Sequence, residues 1–211
     1  MFKKQEHQFQ AGATNNTYNM SQNPNSKLMS NGVNFTPTQH HDTYDKINPE
    51  QFDLSSKAVF ITGPSKGVGH AAALSFARAG ASFIGLGARS DMSSLEKEIQ
   101  EVAQKAGRKA PQTLAVKLDV SNEENVASAA KEVESKFGRL DILVNNAGYL
   151  EGFVPIKDSK VEEWWKTWQI NVLGVYLVTR AFLPLLLKGD MKTILNTSSI
   201  GAQVCTPGAS A

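Results

Sequence analysis

From Lys57 onward, short and almost continuous apolar runs alternate with longer stretches whose apolar residues recur at near-helical spacing. Lys57 to Thr62 is a short apolar run that stops at Gly63, as suits a strand buried on both faces. Gly67 to Ala79 places Val68, Ala72, Phe76 and Ala79 at near-helical spacing, which predicts a helix. The alternation then repeats. Strands are predicted at Ala81 to Ala88, Thr113 to Leu118, Asp141 to Asn145 and Lys192 to Asn196. Helices are predicted at Ser93 to Ala106, Asn122 to Phe137 and Val161 to Lys188. Strands alternating with helices of about ten residues or more make βαβ crossovers, hence a parallel sheet with helices on both faces. The fold expected is α/β, a Rossmann-like doubly wound parallel sheet in three layers. Ligands of such sheets sit at the carboxyl ends of the strands.

The pattern before Lys57 is different. Residues 1–43 are rich in Asn, Gln, Ser, Thr and His, and hold too little apolar surface to offset the entropy of ordering them. A disordered polar tail is expected there, followed by an arm over 44–56 with Ile47 and Phe52 as its anchors, and a nucleotide-binding domain over 57–211. His40-His41-Asp42 has no further ligand at helical spacing, so it reads as solvated tail and no metal site is expected.

Composition changes this picture little. Hydrophobic residues at 41%, charged residues at 20% and a net charge of +2 describe an ordinary globular protein with no pull toward nucleic acid. No Lys/Arg block, zinc-type Cys/His spacing or RNA-binding aromatic motif stands in the chain. The one cysteine, Cys205, cannot form an internal disulfide, which points to a reducing compartment. Polar residues follow Lys3 and Lys4 where a signal peptide would have an apolar core. Asn171, Arg180 and Pro184 interrupt the apolar stretch Ile170 to Leu187, so a buried helix is expected and not a membrane span. The sequons at Asn15, Asn34 and Asn196 are discounted with the missing signal. A cytoplasmic protein is the expectation.

The chemistry lies at the strand ends. Thr62-Gly63-Pro64-Ser65-Lys66-Gly67-Val68-Gly69 joins the first strand to the first helix. A pyrophosphate needs backbone N–H groups and a helix N-terminus within close reach, and side chains would block it. Gly63 allows the tight turn, Gly67 the approach of the phosphate, and Gly69 the packing of helix on sheet. Ser65, Lys66 and Val68 complete the cradle. About twenty positions past such a turn an acidic residue would hold the ribose 2′-hydroxyl of NAD. That position is Arg89, followed by Ser90. Arginine suits the 2′-phosphate of NADP, and Lys66 adds a second positive charge, so NADP is expected ahead of NAD. Asp91 lies near enough to oppose a phosphate.

With this spacing, T-G-x-x-x-G-x-G, the chain from about Lys57 to Ala211 resembles the short-chain dehydrogenase/reductase family. Other segments match in order. Leu118-Asp119-Val120 ends the third strand, where the family's aspartate contacts adenine. Asn145-Asn146-Ala147-Gly148 matches the segment that supports the sheet and lines the cofactor cleft. Asn171 matches the asparagine that fixes a water in the proton relay, and Ser199 the serine that holds the substrate oxygen. In the family a basic residue at each of the positions of Lys66 and Arg89 goes with NADP. The resemblance implies hydride transfer between NADP(H) and a carbonyl or alcohol of a small organic molecule, in a homodimer or homotetramer.

Such a transfer needs a positioned acid. In the family it is a tyrosine with a lysine four residues on, and the resemblance places that tyrosine at 212, one past Ala211. Tyr18, Tyr44, Tyr149 and Tyr176 do not replace it. The chain is therefore expected to be truncated just before the Y-x-x-x-K motif, with the sheet incomplete on its C-terminal side. The alternatives are an inactive nucleotide-binding fragment and a non-enzymatic NADP-binding protein. The apolar face of Ile170 to Leu187 would then lie open, and the isolated chain is expected to be poorly soluble or loosely folded. Trp164, Trp165 and Trp168 read as packing more readily than as pocket lining, His70 as packing or surface, and Cys205 as no nucleophile.

Overall fold

The computed structural model describes residues 43–199 and 201. The polar tail, apart from Thr43, lies outside them, as do His40, His41, Asp42 and Cys205. Strands and helices alternate as β1 (Ala58–Thr62), α1 (Gly67–Arg78), β2 (Phe83–Ala88), α2 (Ser93–Lys105), β3 (Gln112–Lys117), α3 (Glu123–Phe137), β4 (Ile142–Asn145), α4 (Val161–Trp168), α5 (Gly174–Lys188) and β5 (Thr193–Asn196). The five strands form one parallel sheet in the order β3-β2-β1-β4-β5. The expected three-layer architecture is present. Strand order reverses between β2 and β4 on either side of β1, which opens a crevice at the carboxyl end of β1.

Every residue of β1 is buried, and its side chains alternate between two core layers. Val59 and Ile61 pack with Ala73, Ala77, Ile84, Leu86 and Ile99 beneath α1 and α2. Phe60 packs on the other face with Val126, Leu143 and Phe182 beneath α3 and α5, its ring 4.5 Å from that of Phe182. One carboxylate lies in this apolar frame. Asp141 is fully buried, accepts hydrogen bonds from Ala58 N (2.8 Å) and Asp190 N (2.9 Å), and has Arg139 Nε at 3.5 Å. It ties the start of β1 to the entry of β5.

The long predicted helix differs in one place. Residues Gln169–Leu173 between α4 and α5 form a wider, π-helical turn. A π-turn inserts a residue into the helical ladder and changes which side chains face inward. Here it sets Asn171 toward the loop after β4 and brings Gly174 against Val120, where a Cβ would stand 2.8 Å from Val120 Cγ2. Pro184 lies on the exposed side of α5.

Val161–Lys188 is long and apolar enough, by length and composition, to cross a membrane. In this fold Leu177, Val178, Phe182, Leu185 and Leu186 are buried in the core layer of α3, and 33% of the apolar stretch is buried. Its other face exposes Val172, Leu173, Tyr176, Leu183 and Leu187, and exposed Ile194 of the edge strand β5 shares that side of the sheet, whereas Leu195, paired with Val144, lies on the side of α1 and α2. The arm is anchored differently from expectation. Ile47 and Phe52 are half exposed, at 50% and 49%. Leu54 packs on the core instead, its N–H donating to Ala79 O at 2.8 Å, and Arg108 Nη2 donates to Glu50 O and Phe52 O, each at 2.8 Å.

Candidate functional site

A cleft of about 540 Å³ lies across the carboxyl ends of β1, β2, β3 and β4. That volume is in the range of about 300–1,000 Å³ typical of small-ligand sites. Its floor is built around Thr62, the last residue of β1. The Thr62 hydroxyl accepts hydrogen bonds from Asn146 N and Ala147 N, each at 3.0 Å. Asn146 Nδ2 donates back to Thr62 O and Gly63 O, each at 3.0 Å. The glycine turn and the loop after β4 are thus locked as one unit, and Thr197 Oγ1 adds a donor to Asn146 Oδ1 at 3.3 Å.

This lock explains the glycines. Gly63 has φ +66°, and a Cβ there would stand 2.8 Å from Ala147 Cα. At Gly69 a Cβ would stand 2.3 Å from Asn146 Nδ2. At Gly67, φ +60°, nothing stands within 4 Å of the Cβ position, so the backbone faces open space in the cleft. Lys66 precedes α1 without a side-chain cap, and the first N–H groups of the helix are left for a ligand or water. A cradle that a Cβ would close, with uncapped donors, is what a pyrophosphate requires.

The cleft brings together Gly63, Ser65, Lys66, Gly67, Val68, Arg89, Ser90, Asp119, Val120, Asn146, Ala147 and Gly148. Gly69 stands behind the turn. Arg89 and Lys66 reach the same cleft from different strand ends. Asp119 accepts from the Ser121 hydroxyl (2.6 Å) and amide (3.0 Å). These bonds, the hydroxyl foremost, hold its carboxyl below the ordinary value of 3.8 against the opposing effect of desolvation, and nearby Arg89 adds to the lowering. The Asp91 carboxylate is engaged by Ser93, side chain first and then amide, which also lowers its pKa.

Two expected residues stand apart from the lining. Asn171 turns both side-chain atoms to the backbone of Tyr149, accepting from its N–H at 2.8 Å and donating to its carbonyl at 2.7 Å. The Ser199 hydroxyl is exposed and accepts from Gly201 N at 3.1 Å. Other lining residues escaped sequence reasoning: Gly87, Ala88, Leu118, Tyr149, Ile170 and Thr197. Each adjoins or lies close to a residue that was singled out, so the signal was position at a strand end or helix turn. Trp164 stacks against Trp165 and meets Trp168 at a tilt, with centroids at 6.1 and 5.7 Å, and none of the three lines the cleft. His70 Nε2 lies 2.8 Å from Glu98 Oε2 and links α1 to α2, a partner that spacing did not reveal. Among the described residues no His/Cys/Asp/Glu group could hold a metal ion.

A family profile described as short chain dehydrogenase matches residues 57–211. The chain belongs to the short-chain dehydrogenase family. A short chain dehydrogenase of Monascus purpureus is 50% identical over 180 residues, which are 85% of this chain and 62% of that protein. The chain thus spans about three-fifths of the length of the curated relatives it resembles. Among solved structures of the short-chain dehydrogenase fold, an alcohol dehydrogenase from Thermococcus sibiricus complexed with 5-hydroxy-NADP has TM-score 0.62 and 34% identity, over 72% of this chain and 62% of that one. A NAD⁺-bound xylitol dehydrogenase has TM-score 0.63 and 26% identity, over 74% of this chain and 58% of that one.

Proposed function

We propose that the cleft holds NADP(H) and that the parent protein transfers a hydride between this cofactor and a carbonyl or alcohol of a small organic molecule. The observation that carries the reading is the convergence of Arg89 and Lys66 on the cleft that the glycine turn opens. The backbone of Ser65 to Gly69 receives the pyrophosphate, and Arg89 with Lys66 the 2′-phosphate. Asp119 and Val120 face the adenine, and Ser90 caps the ribose. Asp91 stays ionised under its hydrogen bonds from Ser93 and still opposes a phosphate, an effect that Arg89 and Lys66 together must outweigh. Relatives with NADP-type and NAD bound both exist among the similar structures, so Arg89 and not the fold argues the choice.

When bound, NADP(H) supplies or accepts the hydride. Ser199 is proposed to hold the substrate oxygen. Its oxygen accepts from Gly201 N, which leaves the hydroxyl proton to donate. Asn171 contributes by position, since Tyr149 occupies both its polar atoms. The proton donor is assigned to none of the described residues. The exposed apolar face of α5 supports a homodimeric or homotetrameric parent, and the lone Cys205 supports a cytoplasmic setting.

Titration with NADPH and NADH tests the cofactor. The chain is expected to bind NADPH more tightly, and Arg89→Asp to weaken NADPH by about 10–100-fold, the worth of a charge-assisted hydrogen bond. Tighter NADH binding, or NADPH affinity unmoved by the substitution, contradicts the reading.

A further inference from the structure

We infer that Tyr149 is a positioning residue for the nicotinamide half of the cofactor, held in register by Glu163 and Lys166 of α4. The inference rests on the cofactor reading above, which fixes the direction of the dinucleotide. With the 2′-phosphate at Arg89 and the pyrophosphate over the glycine turn, the nicotinamide riboside must extend to the tips of β4 and β5. Gly148, Tyr149, Ile170 and Thr197 line that end.

Tyr149 is fixed from every side. Its N–H and carbonyl are both paired with the Asn171 side chain, at 2.8 and 2.7 Å. Its hydroxyl donates to Glu163 Oε2. Lys166 Nζ stands 4.3 Å from the centre of its ring and 3.7 Å from Glu163 Oε2. The hydrogen bond from Tyr149 holds the Glu163 carboxyl below its ordinary value, and the same bond raises the phenol, so the proton stays on Tyr149 at neutral pH.

Stability alone does not account for this cluster. The side chains of Glu163 and Lys166 are 45% and 42% exposed, and ion pairs so solvated contribute little to folding. What the cluster does accomplish is geometric. It fixes a backbone segment that follows Gly148 directly, and it does so from α4, an element that does not itself reach the cleft. Preorganised walls raise affinity by lowering the ordering cost of binding.

The test compares NADPH with adenosine 2′,5′-bisphosphate, which carries the adenine and the 2′-phosphate but no nicotinamide. Both are titrated into the full chain and into its Tyr149→Ala variant. The expected result is about a tenfold loss of NADPH affinity in the variant, the worth of one lost aromatic contact and its tether, with bisphosphate affinity unchanged. The bisphosphate also reports whether the variant has folded. If Tyr149→Ala binds neither ligand, Tyr149→Phe and Glu163→Gln are read by the same ratio, with a smaller preferential loss expected. An NADPH-to-bisphosphate affinity ratio within twofold of the unsubstituted chain's overturns the inference while leaving the cofactor reading intact. A wild-type chain that binds neither ligand fails the cofactor reading itself.

Discussion

At the scale of single residues, the site depends on a few side chains that touch backbone and not ligand. Thr62 is one, because two part-buried amides, those of Asn146 and Ala147, share its hydroxyl as acceptor. Thr62→Val keeps the shape and orphans both donors. The expected cost is about 1–3 kcal/mol of stability in a denaturant melt, together with weaker cofactor binding. Asp141→Ala removes the buried acceptor for Ala58 N and Asp190 N, while Arg139 keeps Ser56 O and Asp190 as partners. A loss of roughly 2–4 kcal/mol is expected from two donors left without their acceptor, and an unchanged melt would contradict the structural role given to this buried carboxylate. Asp119 supplies a pH dependence. Its folded pKa lies below the ordinary 3.8, so it contributes stability above that value and loses it as pH falls through the lower, folded one. The loss therefore belongs below about pH 4, and Asp119→Asn should flatten that part of an acid titration. Residues of this kind divide sharply in how well sequence reveals them. Arg89 was legible because a count from a glycine turn finds it. Thr62 and Asp141 were not, because a hydroxyl or carboxylate that serves distant amides leaves no local pattern.

At the scale of elements, periodicity located nearly everything. The apolar runs of β1 and β4 are fully buried strands, those of the outer strands β3 and β5 are largely exposed, and the alternation of strand and helix implies the parallel sheet. Periodicity failed at Gln169–Leu173, where an unbroken helical pattern conceals a π-turn. The apolar residues keep near-helical spacing across it, so hydrophobic pattern cannot register one extra residue in the ladder. Asn171 and Gly174 give the turn its reason. One holds Tyr149 and the other admits Val120 at close range. Asn171→Ala is expected to speed amide exchange at Tyr149 at least several-fold, since that N–H loses its partner. Exchange at Ala73 and Ala77, on the buried face of α1, should stay as it was. The arm carries a second lesson. Ile47 and Phe52 drew notice because they are large and apolar, yet Leu54 and the guanidinium of Arg108 hold the segment.

At the scale of the whole molecule, one surface stands out for its apolar area. Tyr176, Leu183 and Leu187 on α5 lie exposed, and Ile194 of the edge strand is exposed on the same face of the sheet. Contiguous apolar surface next to an unpaired strand edge favours association. The 211-residue chain is expected to self-associate in sedimentation at micromolar concentration, and Tyr176→Glu with Leu187→Glu to reduce it. A monodisperse monomer with a sharp, cooperative melt would contradict this. The central claim concerns the carboxyl ends of the strands, where one cleft receives a dinucleotide. Hydrogen exchange of the full chain with and without NADPH tests it most directly. The account predicts slowed exchange at residues 63–69, 87–90, 118–120 and 146–149 together, and little change on the exposed face of α5. Saturable NADPH binding that leaves those segments unprotected, or no binding at all, would contradict it.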